Sequence, residues 1–168
     1  EPMLYPIVHL AAGDGQVVEI ADECEASYLH SRATRISVFL SIFDVHVQRI
    51  PISGTVTAVQ HQPGKFLQAF RPEASTENEH ISMLIESNYG PVLVKQIAGI
   101  MARRCVNNTQ TGQMVHVGQR YGMIKFGSRV DLFVPPEAQL LVEVGDKVAG
   151  GLTPIAILPE NNAAPETA

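Results

Sequence analysis

The sequence predicts a mainly β fold: a single-domain β-barrel or sandwich with paired hairpins and a few short helices. Three observations carry this expectation. Short runs rich in Val, Ile, Phe and Thr recur along the 168 residues, each bounded by Gly, Pro or Asn, the punctuation of strands and turns. Helical periodicity is scarce by comparison. Hydrophobic residues make up 45% of the chain and charged residues 17%, which suits one domain with one core.

Taken in order, "GQVVEIA" (15–21) opens on a glycine and brings a β-branched pair into register. "RISVFLSI" (35–42) and "SGTVTAVQHQ" (53–62) are rich in β-branched and aromatic residues and fit strands. "ISMLIES" (81–87) and "GPVLVKQIAG" (90–99) form two apolar runs separated by "NY" and a glycine, a hairpin arrangement. "GMIKF" (122–126) and "RVDLFVP" (129–135) read as strands interrupted by Gly127-Ser128. "AQLLVEVGDKVAGGLTPIAIL" (138–158) reads as strand, turn, strand, and short helices are expected near 43–49 and 99–106. The domain runs from 1 to 158; the polar, Pro- and Ala-rich tail 159–168 is expected to be disordered.

Charge and cysteine content narrow the function. Net charge is −5 and no Lys/Arg cluster occurs, which argues against a nucleic-acid partner. Cys24 and Cys105 are far apart and make neither a CxxC metal site nor a disulfide framework, so two reduced thiols in a cytosol-facing protein are expected. No metal-ligand cluster is present in the sequence. No apolar run reaches the ~20 residues of a membrane span.

Two stretches echo each other, "GQMVHVGQRYGMIKF" (112–126) and the segment 138–158. Each has an apolar residue, any residue, Val-Gly, then Asp or Gln, a turn and a strand. The arrangement resembles the hairpins of biotinyl- and lipoyl-carrier domains, whose modified lysine sits at a hairpin tip. Lys147 lacks the flanking pattern of a modified lysine, and an ordinary hairpin turn is the better reading.

Gly127-Ser128 poses the sharper question. A glycine inside a strand pattern marks a bulge or a close approach to the backbone, and most serines in such places only satisfy backbone groups. Several further segments change that weighing: "SIFDVHVQRIPISGTV" (41–56), "GDGQVVEI" (13–20), "PGKFLQAFRPEASTENEH" (63–80), "VLVKQIAGIMARRCV" (92–106) and "KFGSRVDLFVP" (125–135). Together, and in their order along the chain, they resemble the phosphatidylserine decarboxylase family in its short form, over roughly residues 8 to 158.

The resemblance implies the following chemistry. The Ser128 hydroxyl attacks the carbonyl of Gly127, an N-to-O acyl shift gives an ester, and β-elimination splits the chain into 1–127 and 128–168. Ser128 becomes a pyruvoyl group, the cofactor, whose ketone forms a Schiff base with the substrate's serine amine and accepts the electrons released with carbon dioxide. Glycine at 127 lets the serine oxygen approach and tolerates a strained backbone. His46, in "DVH", is the implied proton acceptor or donor. Many relatives have a second histidine three positions on, where this chain has Arg49. Asp14 is the implied partner of the imidazole, with Asp44 the runner-up. Arg103, from the pair Arg103-Arg104, is a candidate contact for the phosphodiester, while Asn78 and Glu79 are assigned no role.

The implied activity is decarboxylation of phosphatidylserine, or of archaetidylserine with ether tails, to the ethanolamine lipid. Implied partners are the phospholipid, a membrane surface, the chain's own cleaved fragment and a second copy in a homodimer. The implied location is the cytoplasmic side of the cell membrane, peripherally bound. Two other readings stay open: a non-catalytic hairpin binding module, and a pyruvoyl decarboxylase of a soluble amino acid.

Overall fold

The computed structural model describes residues 8–12, 14–40, 47–64, 78–99, 105–124 and 128–159. Its strands are β1 (Val8–Leu10), β2 (Gly15–Glu25), β3 (Ser31–Leu40), β4 (Val47–Arg49), β5 (Gly54–Gln62), β6 (His80–Ser87) and β7 (Gly90–Ile97). They continue with β8 (Cys105–Asn107), β9 (Met114–Val115), β10 (Arg120–Ile124), β11 (Ser128–Val134), β12 (Gln139–Leu140), β13 (Lys147–Val148) and β14 (Pro154–Ile157). The mainly β expectation holds. The expected short helices have no counterpart among the described residues: Val47–Arg49 and Cys105–Asn107 are strands. The expected tail, apart from Pro159, lies outside the described residues.

An eight-stranded sheet in the order β13-β2-β3-β11-β7-β6-β5-β9 forms the body. Two three-stranded sheets, β4-β10-β8 in that spatial order and β1-β14-β12, complete it. Its central strand, β11, pairs antiparallel with β3 on one side and β7 on the other. A strand covered on both faces is usually apolar on both. Every residue of β11 from Ser128 to Val134 is buried, but Ser128, Arg129 and Asp131 among them are polar or charged. Val130, Leu132 and Val134 join Ile36, Val38, Val92 and Val94 in the main core. Phe133 packs with Ala33 and Leu93 in a smaller cluster. Burying each such aliphatic side chain contributes about 1.5–3 kcal/mol, and Leu132→Ala would cost about 2–5 kcal/mol through the cavity it leaves.

The sequence echo is a repeated turn. In 116–119 and 143–146 the fourth residue's amide donates to the first residue's carbonyl, Gln119 to His116 at 3.0 Å and Asp146 to Glu143 at 3.1 Å. Its side chain accepts the first residue's amide, at 3.1 Å in one turn and 2.9 Å in the other. The third residue is Gly118 (φ 85°) or Gly145 (φ 101°), the position of a type II turn that demands φ > 0. Each glycine amide then donates 2.8 Å into a neighbouring segment, to Ile50 or to Val17. Lys147 lies within β13, beside Gln16 of β2, rather than at the tip of the turn.

Candidate active site

Three chain segments cross between the large sheet and the β4-β10-β8 sheet at one place. Leu40, the last residue of β3, pairs with Ser128, and Val47, the first of β4, pairs with Met123 of β10. Ile97 at the end of β7 pairs with Arg129, and Cys105 at the start of β8 pairs with Ile124. The β3–β4, β7–β8 and β10–β11 connections therefore start and finish side by side. Gly127 lies in the third, His46 and Asp44 in the first and Arg103 in the second, all outside the described residues. What the described strands establish is that the ends of these three connections are neighbours.

Ser128 is at this junction as the first residue of β11, with no exposed surface. Its Oγ is buried and has no hydrogen-bond partner among the described residues. Buried hydroxyls are nearly always paired, so an orphan calls for an explanation. Alternation along β11 puts Ser128 on the same face as Val130, toward the main core.

Asp14 immediately precedes β2. Gly15 lies so close to Leu40 that a Cβ there would collide with the Phe39 carbonyl oxygen. That contact requires glycine and draws β2 tightly against the end of β3. Asp14 and Ser128 thus approach Leu40 from opposite sides, two strand spacings or about 10 Å across the sheet. Asp14 Oδ1 accepts the Gly150 amide at 2.6 Å, which ties the end of β2 to the 149–153 turn.

Three further orphans gather at the same end: Gln48 Nε2, Gln96 Oε1 and Glu79 Oε2. Gln96 lies directly across from Val130, and Gln48 beside Gly122; both glutamines are wholly buried. Tyr121 donates its hydroxyl to Gln48 Oε1 at 3.4 Å, and burial raises that phenol's pKa. Glu79 Oε1 bonds His61 Nε2 at 2.7 Å. Burial, then the Glu79 charge, pushes the Cys105 thiol up to about 12, so it stays a neutral thiol at physiological pH. Asn78 is buried and donates from Nδ2 to the Ala98 carbonyl at 2.6 Å. The glutamines escaped sequence reading because a lone Gln in a strand looks solvated, and only the three-dimensional burial exposes them.

Arg129, on the opposite face, forms a buried ion pair from Nε to Asp131 Oδ1 at 2.7 Å. Its Nη2 donates to Ser37 Oγ at 2.9 Å and lies 3.6 Å from Glu19. One surface cleft, lined by Leu29, Arg32, Pro91, Val134 and Glu137, lies at the far end of β11 from Ser128.

A profile of the phosphatidylserine decarboxylase family matches residues 4–156. The chain belongs to the phosphatidylserine decarboxylase family. A phosphatidylserine decarboxylase proenzyme of Parabacteroides distasonis is 45% identical over 150 residues, covering 89% of this chain and 68% of that protein. One of Saccharopolyspora erythraea is 48% identical over 155 residues, covering 90% and 66%. A third, of Mycolicibacterium gilvum, is 44% identical over 162 residues, covering 94% and 70%. The chain spans about two thirds of the length of these relatives. The family is one of carboxy-lyases.

Proposed function

We propose that this chain is a phosphatidylserine decarboxylase that matures by cutting itself between Gly127 and Ser128. The observation that carries the reading is the buried, unpartnered Ser128 Oγ at the head of the central strand. A hydroxyl with no competing hydrogen bond, beside a glycine, suits attack on the preceding carbonyl. The attack forms the Oγ–C bond and breaks the Gly127 C–N bond, giving an ester and a free Ser128 amine. β-Elimination removes the Ser128 Cα proton and expels Oγ with Gly127 as a carboxylate, leaving dehydroalanine. One water hydrolyses its imine tautomer to the pyruvoyl ketone and ammonia. Residues 1–127 and 128–168 then remain together as two chains.

The fit between this position and the group is good on the chain's own terms. The site is buried, which excludes the water that would compete for a reactive carbonyl, and the orphaned Gln48 Nε2 and Gln96 Oε1 supply a donor and an acceptor nearby. When formed, the pyruvoyl group supplies the electron sink that decarboxylation needs. His46 takes the Ser128 proton as general base and returns a proton to the substrate carbon after carbon dioxide leaves. Asp14 orients that imidazole, and Arg103 holds the phosphodiester. The substrate is phosphatidylserine, and the enzyme works as a peripheral protein on the cytoplasmic side of the membrane, as a homodimer.

Intact mass spectrometry of the purified protein, with and without a carbonyl-reactive reagent, tests this. Two fragments split after residue 127, the second carrying one reactive carbonyl, are expected. A single uncut chain that nevertheless decarboxylates phosphatidylserine would overturn the maturation step.

A further inference from the structure

We infer that the outer face of the β4-β10-β8 sheet is the surface that docks on an anionic lipid bilayer. The inference rests on the proposed phospholipid substrate and adds where the protein meets it. Val47, Met123 and Val106 lie side by side across the three strands. Met123 is 49% exposed and Val106 45%. Next to them Arg49 and Arg120 are direct cross-strand partners. Like charges placed opposite each other are unfavourable in a sheet, so the pair calls for an outside anion. Neither arginine forms an ion pair among the described residues, and Arg49 Nη1 donates only to the Gly118 carbonyl at 2.8 Å.

Two more apolar residues flank the arginines. Val117 adjoins Gly118, and Leu152, 77% exposed, adjoins Gly151, which packs on the Arg49 side chain. Four of the seven exposed large hydrophobics among the described residues thus surround one arginine pair. None of the three strands carries an acidic residue, although the whole chain has a net charge of −5. Apolar side chains beside cations fit the interface of a bilayer, with the arginines at the phosphates. The face also leads to the junction at Ser128, because only three residues separate the end of β10 at Ile124 from the start of β11 at Ser128. A lipid could then present its headgroup to Ser128 without its tails leaving the bilayer.

The test uses the full chain and vesicles of phosphatidylcholine with phosphatidylglycerol, an anionic lipid that is not the substrate. Removing one basic contact weakens binding about fivefold at low salt, and reversing its charge about 25-fold. Arg120→Glu and Leu152→Ser should each bind these vesicles at least about tenfold more weakly. Both should still process soluble short-chain phosphatidylserine at the wild-type rate while losing turnover of bilayer substrate. Arg32→Glu, the same charge change at the far end of β11, should bind as wild type does. Unchanged vesicle binding in Arg120→Glu and Leu152→Ser, an equal loss in Arg32→Glu, or no binding by the wild type overturns the assignment. If the wild type binds vesicles through this face but decarboxylates neither form of the lipid, the face stands and the enzymatic reading fails.

Discussion

The two faces of β11 are equally buried and opposite in character. Toward the small cluster, Arg129 and Asp131 have no exposed surface, yet they bond each other, and Arg129 also bonds Ser37. Toward the main core, Ser128 is as deeply buried and its Oγ bonds nothing among the described residues; Gln96, across from Val130, has an orphaned oxygen. Burial does not separate structural from chemical polar groups in this strand. Pairing does: the buried charges of one face are matched within the sheet, whereas a buried hydroxyl without a partner costs stability.

The largest expected effect breaks the unpaired face. Ser128→Ala should give one uncut chain with no decarboxylation, and its melting temperature should equal or exceed that of an uncut reference such as His46→Ala, since a lone buried hydroxyl costs about 1–3 kcal/mol. A loss of several kcal/mol in urea unfolding would place Ser128 among the structural groups instead. His46→Ala should slow self-cleavage by about 10²–10⁴-fold, read as accumulation of uncut chain on a denaturing gel. Normal cleavage in that variant, followed by normal turnover, would leave the histidine without its role.

On the paired face the effects should be on stability. Asp131→Ala, made in the uncut Ser128→Ala background so that unfolding is of one chain, strands the Arg129 guanidinium and should cost about 3–5 kcal/mol in urea unfolding. Gln96→Met should be milder, near 1 kcal/mol, because Gln96 Nε2 also donates to the Val106 carbonyl at 3.1 Å. Its turnover of lipid should fall by more than its stability does, if the orphaned oxygen serves the substrate.

The smallest effect is one of pH. Burial, opposed by the bond from Nδ1–H to the Asn78 carbonyl, leaves the His80 pKa lowered from 6.5. The folded state therefore takes up a proton at lower pH than the unfolded state does. His80 contributes no penalty above about 6.5, and stability declines as pH falls from there toward the lower folded pKa. His80→Gln should flatten the change in urea midpoint between about pH 7.5 and about 5.5; an unaltered slope would assign it to other groups.

The long strands were legible because each carries its own run of β-branched and apolar residues bounded by turn residues. "GPVLVKQI" became β7 and "RVDLFV" most of β11. The three-residue strands were not. Val47–Arg49 and Cys105–Asn107 exist because β10 lies between them, a long-range partner that local periodicity cannot show, so the same residues looked helical. The hairpin at 138–158 was legible as a turn but not as a set of pairings, since β13 joins β2 while β12 joins β14. At the site, Gly127-Ser128 stood out as a broken strand, and the break is where the chain passes from one sheet to another. The arginine and aspartate two residues apart on one strand face were visible in principle. That both would be sealed from water was not, because it depends on β3 and β7 covering the strand's two edges.

The placement of β11 would make the proposed cut after residue 127 a one-way event. Cutting at its first residue would leave the shorter product as a central strand plus β12, β13 and β14, which pair with β14, β2 and β1 among them. The smaller piece is woven through both halves of the longer one and can leave only if the large sheet opens. The precursor folds with every partner on one chain, at a rate independent of concentration. A cut form, once melted, would have to reassemble from two molecules and would no longer hold the serine hydroxyl that made the cut. Heat inactivation of the cut enzyme should therefore be irreversible on dilution, while the uncut Ser128→Ala chain refolds.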